Sequence, residues 1–234
     1  MNKKDIWKLF FPDHCPICDR ALLPGEEICE ECSKIPRIVP LPRCEKCGKH
    51  IDEGDTRFCY DCLRNPRSYE RGFSLYEYPS VHDSVSTFKN LGRPEYGAYY
   101  GKQMGLYFCE ELIRIAPQAL IPIPLHKDRE KTRGYNQAAI LAEGISEVTD
   151  IPVLENLLIR PNKTKVQKDL SRGERQNNVK RAFHIVKNDV KLKTVVLVDD
   201  IYTTGNTILS ATEVLKEAGV EKVYFMTLAT GRGC

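Results

Sequence analysis

Two periods of apolar residues alternate along the last two-thirds of the chain. Residues 72–78, GFSLYEY, alternate in the manner of a strand. Residues 80–89 and 95–115 carry helical spacing, and Gly92-Arg93-Pro94 separates them. Residues 119–124 form a short apolar strand. Residues 136–148 place Ile140, Leu141, Ile145 and Val148 on one helical face. Residues 193–198 read as a strand buried on both faces, with Asp199 and Asp200 at its carboxyl end. A helix follows over 206–218, closed by Gly219, and residues 222–229 form a last strand. Strands that alternate with helices predict a mainly parallel sheet with flanking helices.

The first sixty residues lack both periods. Prolines 36, 40 and 42 interrupt them, and Arg64-Asn65-Pro66-Arg67 reads as a short linker. The pattern therefore predicts a small module over residues 1–66 and an α/β domain over 67–234. At 234 residues and 41% hydrophobic, the chain can build such a core.

Cysteine gives the small module its chemistry. The chain has ten cysteines, and eight form CxxC pairs: Cys15/Cys18, Cys29/Cys32, Cys44/Cys47 and Cys59/Cys62. A CxxC turn presents two thiolates on one side, and two turns about a dozen residues apart close a tetrahedral zinc site. Two structural zinc ions are expected. One holds Cys15, Cys18, Cys29 and Cys32, the other Cys44, Cys47, Cys59 and Cys62. An interleaved arrangement uses the same ligands, so spacing leaves it open. Metal would replace the core that sixty residues cannot supply. The pairing also hints at a duplicated module. Arg37, Arg43, Lys46, Lys49, Arg57, Phe58 and Tyr60 permit a nucleic-acid contact there. Cys109 reads as a small core residue in a helix.

The segment 195–207, VVLVDDIYTTGNT, carries a second chemistry. A buried strand leads to two carboxylates, then to a loop of small residues that opens a helix. Backbone N–H groups and the helix dipole in such a loop suit a phosphate. The acids suit the hydroxyls of a ribose. Together they imply one ligand with both a diol and a phosphate.

The same segment resembles the diphosphate-sugar signature of the type I phosphoribosyltransferases. Two further stretches, IPIPLHKDREKTRGYNQ (121–137) and QKDLSRGERQNNVKRAF (167–183), join the cysteines in narrowing the likeness. With them the chain is similar to the ComF family, the competence proteins of bacterial DNA uptake. That resemblance implies a phosphoribosyltransferase-like sheet behind a double zinc ribbon. It implies 5-phosphoribosyl-1-pyrophosphate with magnesium as ligand. Asp199 and Asp200 would face the ribose and the magnesium ion. Thr203, Thr204, Gly205, Asn206 and Thr207 would hold the 5-phosphate. Leu125 and His126 would lie at the pyrophosphate turn, with Arg129 and Arg133 as its cations.

Residues 160–181 hold eight basic side chains against Asp169 and Glu174. The stretch reads as a lid over pyrophosphate or as a contact for single-stranded DNA through Lys163, Lys165, Lys168, Arg172 and Arg175. The net charge of +3 does not itself announce nucleic acid. No apolar run approaches the roughly 20 residues of a membrane span. The start, MNKKDIWKLFFPDHCPIC, has too short an apolar run for a secretory signal. A cytoplasmic location is expected, with residues 6–11 as a candidate for peripheral contact at the inner face of the membrane.

Three roles fit. The first is a DNA-uptake protein that handles single-stranded DNA and binds phosphoribosyl pyrophosphate. The second is an active phosphoribosyltransferase for an unknown acceptor. The third is a zinc-stapled adaptor for a ComFA-like helicase. A hood for an acceptor is expected, if anywhere, on the helices between residues 80 and 115.

Overall fold

The computed structural model describes residues 12–52, 56–90, 92–160, 182–186 and 191–231. The apolar start of the chain and the five basic residues Lys163, Lys165, Lys168, Arg172 and Arg175 lie outside them.

Four parallel strands form the central sheet. They are β1 (Gly72–Glu77), β2 (Ala119–Pro122), β5 (Thr194–Tyr202) and β6 (Lys222–Thr230), in the order β1-β6-β5-β2. A parallel sheet is covered on both faces, so its central strands are apolar throughout. Val195, Val196, Leu197 and Val198 of β5 are each 0% exposed. Alternate residues of β5 and β6 enter two separate cores. Val196, Val198 and Leu228 face one; Val195, Leu197, Val223 and Phe225 face the other.

The first core lies under α2 (Tyr78–Asn90), α3 (Pro94–Tyr107), α4 (Cys109–Ile115) and α6 (Gln137–Thr149). Helices α3 and α6 meet backbone to backbone. A Cβ added at Gly101 would lie 2.4 Å from the Leu141 carbonyl oxygen, and one at Gly144 2.8 Å from that of Ala98. The helical stretch expected over 95–115 is two helices. Phe108 leaves helical geometry at φ −101° and ψ 19°, and its buried ring packs on Phe73. Cys109 is only partly buried, so it is not the core residue expected there.

The other core lies under α7 (Asn206–Glu217) and the second cysteine cluster. Two short elements escape the sequence pattern, the helix α5 (Lys127–Arg133) and the antiparallel pair β3 (Leu158–Ile159) with β4 (His184–Ile185). A one-turn helix, α1 (Tyr60–Arg64), ends the cysteine-rich region.

Both sheet edges are covered. Residues 37–39 run antiparallel to β1, with Val39 N–H donating to the Leu75 carbonyl at 2.9 Å and Glu77 N–H to that of Arg37 at 2.8 Å. Beyond β2, Leu120 N–H donates to the Pro152 carbonyl at 2.9 Å, and Leu154 N–H to that of Leu120 at 2.9 Å. Pairing of this kind removes open edges that would recruit other chains. It also places the segment between the two cysteine clusters on the edge of the sheet.

Candidate functional site

The cysteines gather into two sequential tetrads. Within each of the sets Cys15, Cys18, Cys29, Cys32 and Cys44, Cys47, Cys59, Cys62, the sulfur atoms lie within 4.8 Å of one another. A tetrahedron with bonds of about 2.3 Å has sulfur–sulfur edges of about 3.8 Å. Cys18 and Cys29 are 3.8 Å apart at Sγ, and Cys47 and Cys59 3.6 Å. All-sulfur donor sets of this size fit two structural zinc ions. They also settle the order of ligation, since no cysteine crosses from one set to the other.

The acids occupy the sheet's carboxyl edge. Sequence places Asp199 and Asp200 just past the strand, but β5 continues through Tyr202, which pairs with Thr230 of β6. The longer ladder fixes the backbone of both acids. Asp200 N–H donates to Asp199 Oδ1 at 2.8 Å. Lys89, at the end of α2, places its ammonium 2.8 Å from Asp200 Oδ2. Burial, and then the charge of Asp200, raise the Asp199 carboxyl to about 8, while Lys89 and Arg160 pull it the other way. Burial and the neighbouring acid thus favour the protonated form of Asp199, beside the ion pair of Asp200 with Lys89.

Beyond Tyr202 the chain turns into α7 through Thr203 and Thr204, both exposed, and Gly205, which is buried. Gly205 has φ +79°, and a Cβ there would sit 2.4 Å from the Tyr202 hydroxyl oxygen. Glycine is therefore required by conformation and by space. It stands at the N-cap of α7 without a side-chain hydrogen bond. Among the described residues, the N–H groups of Thr204, Gly205, Asn206 and Thr207 have no backbone acceptor. Orphan donors at a helix start suit an anion.

The predicted cations lie on α5. Leu125 and His126 follow β2, partly exposed, and the His126 carbonyl accepts from Arg129 and Glu130 N–H to start that helix. Arg133 donates to Gln137 Oε1 at 2.7 Å. Lys89, Asn90, Gly92, Arg129, Thr132 and Arg133 line one cavity of about 580 Å³. Lys89 both lines that cavity and reaches Asp200, so it joins the arginines to the acids. Sequence reading missed it. It is an ordinary helix-terminal lysine, and its partner lies far along the chain.

Residues 132–234 match the model of the phosphoribosyl transferase domain, and residues 6–63 that of the double zinc ribbon domain. Competence protein F of Haemophilus influenzae is 30% identical over 228 residues, covering 94% of this chain and 98% of that protein. Competence protein ComFC of Bacillus subtilis is 30% identical over 227 residues, covering 88% and 89%. The DNA utilization protein YhgH of Escherichia coli K12 is 26% identical over 225 residues, covering 94% and 98%.

Proposed function

The chain belongs to the ComF family of competence proteins, and on that premise we propose that it is a DNA-uptake protein that binds 5-phosphoribosyl-1-pyrophosphate with magnesium and handles single-stranded DNA. The observation that carries the ligand is the acid pair beside an anion loop, at the carboxyl edge of one strand. In this reading Asp199 and Asp200 accept hydrogen bonds from the ribose hydroxyls. Residues 203–207 take the 5-phosphate through backbone N–H groups and threonine hydroxyls. Arg129, Arg133 and Lys89 face the pyrophosphate across the cavity they line. Magnesium would supply positive charge between the acids and the phosphates. The acid pair suits such a cation, because the charge of Asp200 is part of what keeps Asp199 protonated. Binding would displace that proton.

Single-stranded DNA is assigned to the basic stretch on its charge alone. Replacing Lys163, Lys165 and Lys168 with Gln should weaken binding and flatten its salt dependence. Unchanged affinity and slope would move the DNA contact to the zinc ribbons. No described helix is long and apolar enough to cross a membrane.

The functional test is genetic. The double variant Asp199→Asn, Asp200→Asn should abolish transformation while the protein stays folded and abundant. Normal transformation by that variant would make the ligand site dispensable for DNA uptake. The cations that line one cavity, Lys89, Arg129 and Arg133, favour one further reading, transfer to an acceptor with the pyrophosphate they would hold as leaving group. Pyrophosphate release that depends on a cell extract and on Asp199 would support it.

A further inference from the structure

The anion loop is held from behind by the exit of the second ribbon. Arg67 follows that ribbon and donates from Nη2 to the Thr204 carbonyl at 2.9 Å. In a trans peptide the C=O and N–H point in opposite directions. Holding the Thr204 oxygen on Arg67 therefore turns the Gly205 N–H away from Arg67. The left-handed Gly205 completes the turn, and its N–H has no backbone acceptor among the described residues. Arg67 Nε is buried and lacks a hydrogen-bond partner. The guanidinium thus holds Thr204 through Nη2 and keeps a buried Nε–H without a partner.

Aromatic contacts brace the same spot. The Tyr69 hydroxyl lies 2.9 Å from that of Tyr202, and Tyr202 stacks on Phe225 at 4.9 Å. Lys49 and Lys46, both on the second ribbon, sit over the Tyr202 and Tyr69 rings at 5.6 and 5.7 Å. Cys44, Cys47 and Cys59 share one apolar core with Tyr69, Tyr202 and Ile208 of α7. The ribbon therefore forms the wall behind the loop.

We infer that Arg67 is a positioning residue for the phosphate group of the ligand: it fixes the Thr204–Gly205 peptide with its N–H aimed into the anion site, and so couples that site to the second cysteine tetrad. The inference rests on the ligand reading above. Its chemistry is general, since any phosphomonoester seated in the loop would depend on the same peptide.

The test compares wild type with Arg67→Gln and Arg67→Lys in the full zinc-loaded chain. Nitrogen-15 relaxation of the ligand-free loop reports the hold directly. The Gly205 N–H order parameter should be about 0.85 in wild type, below about 0.6 in Arg67→Gln and between the two in Arg67→Lys. Calorimetry with ribose 5-phosphate should show a tenfold or greater loss for Arg67→Gln, partly restored in Arg67→Lys, with two zinc ions retained. If Arg67→Gln sheds zinc, Arg67→Lys decides by the same relaxation measurement, and a wild-type order parameter overturns the inference. Wild type that binds ribose 5-phosphate no better than Arg67→Gln, both with measurable affinity, overturns the role of Arg67 alone. Wild type that binds none overturns the ligand reading itself.

Discussion

The two cysteine tetrads are built alike and set in opposite surroundings. Each opens with the same turn. Cys15 N–H donates to the Arg20 carbonyl and Asp19 N–H to that of Cys15; Cys44 N–H donates to the Lys49 carbonyl and Gly48 N–H to that of Cys44. The bridges His14–Ala21 and Arg43–His50 match as well. Equivalent cations pair with equivalent acids, Arg20 with Glu31 and Lys49 with Asp61. Yet the Arg20 side chain is 54% exposed and that of Lys49 is 8%. The first tetrad has a core of its own, Cys15, Leu22 and Cys32, whereas the second merges with the core under the sheet. Burial decides the role of each metal. The first zinc would staple a knuckle that leans on α2 and α3 through Pro16 with Ser84, Asp19 with Tyr96, and Glu27 with Lys102. The second would be part of the main core.

Loss of a ligand should separate them most. Cys59→Ser should lower the main unfolding transition by about 10 °C or more, in line with losing about 3–5 kcal/mol from a chain of this size. Cys18→Ser should remove one zinc ion and leave that transition within about 3 °C. Calorimetry with elemental analysis checks both, and equal shifts would erase the contrast.

The turn itself gives a smaller effect. Asp19 and Gly48 occupy the same left-handed position, at φ 59° and 76°. A Cβ at Gly48 would lie 2.6 Å from the Gly72 carbonyl oxygen, because here the ribbon abuts β1. Gly48→Ala should cost about 2 kcal/mol or more in denaturant unfolding, and Asp19→Asn, which tolerates the left-handed turn and keeps an acceptor for Tyr96, under about 1 kcal/mol. Lys49→Met breaks a half-buried ion pair and a contact with Tyr202, so it should cost about 1–2 kcal/mol. Arg20→Met should cause no measurable change. A larger loss at Arg20 would show that the exposed pair matters after all.

The last effect is in pH. Asp199 has an ordinary value of 3.8 and is raised to about 8 in the fold, with Asp200, Lys89 and Arg160 as its charged neighbours. The proton it holds stabilises the fold fully below about pH 4, and that stability is lost as pH rises through about 8. Asp199→Asn should remove this slope, so its advantage over wild type should grow from pH 5 to pH 9. An identical pH dependence in both proteins would place the perturbed group elsewhere.

Local signals carried much of this into the sequence. CxxC pairs report ligands because metal geometry demands that spacing, and VVLVDD reports a central strand because both its faces are buried. The sequential closure of the tetrads was legible as a preference only, since either arrangement satisfies the same spacing. What escaped depends on contacts between distant segments. Lys89 meets Asp200, and Arg67 meets the Thr204 carbonyl, only after the sheet has assembled. The extension of β5 past its acids is set by β6 rather than by its own pattern. Helix α5 is short and polar, so no apolar period announces it.

The proposed role requires the acid pair and the loop beside it to be a site for a phosphorylated ribose. Calorimetric titration with 5-phosphoribosyl-1-pyrophosphate and magnesium tests this most directly, run on wild type and on the double variant Asp199→Asn, Asp200→Asn. Wild type should bind, releasing protons at pH 7 as Asp199 ionises. The double variant should bind at least tenfold more weakly, about 1.4 kcal/mol, without that release. Inorganic phosphate should bind both equally, or the variant better, since the loop is intact and the acid pair's negative charge is gone. Wild-type protein with no magnesium-dependent affinity at millimolar ligand would contradict the account.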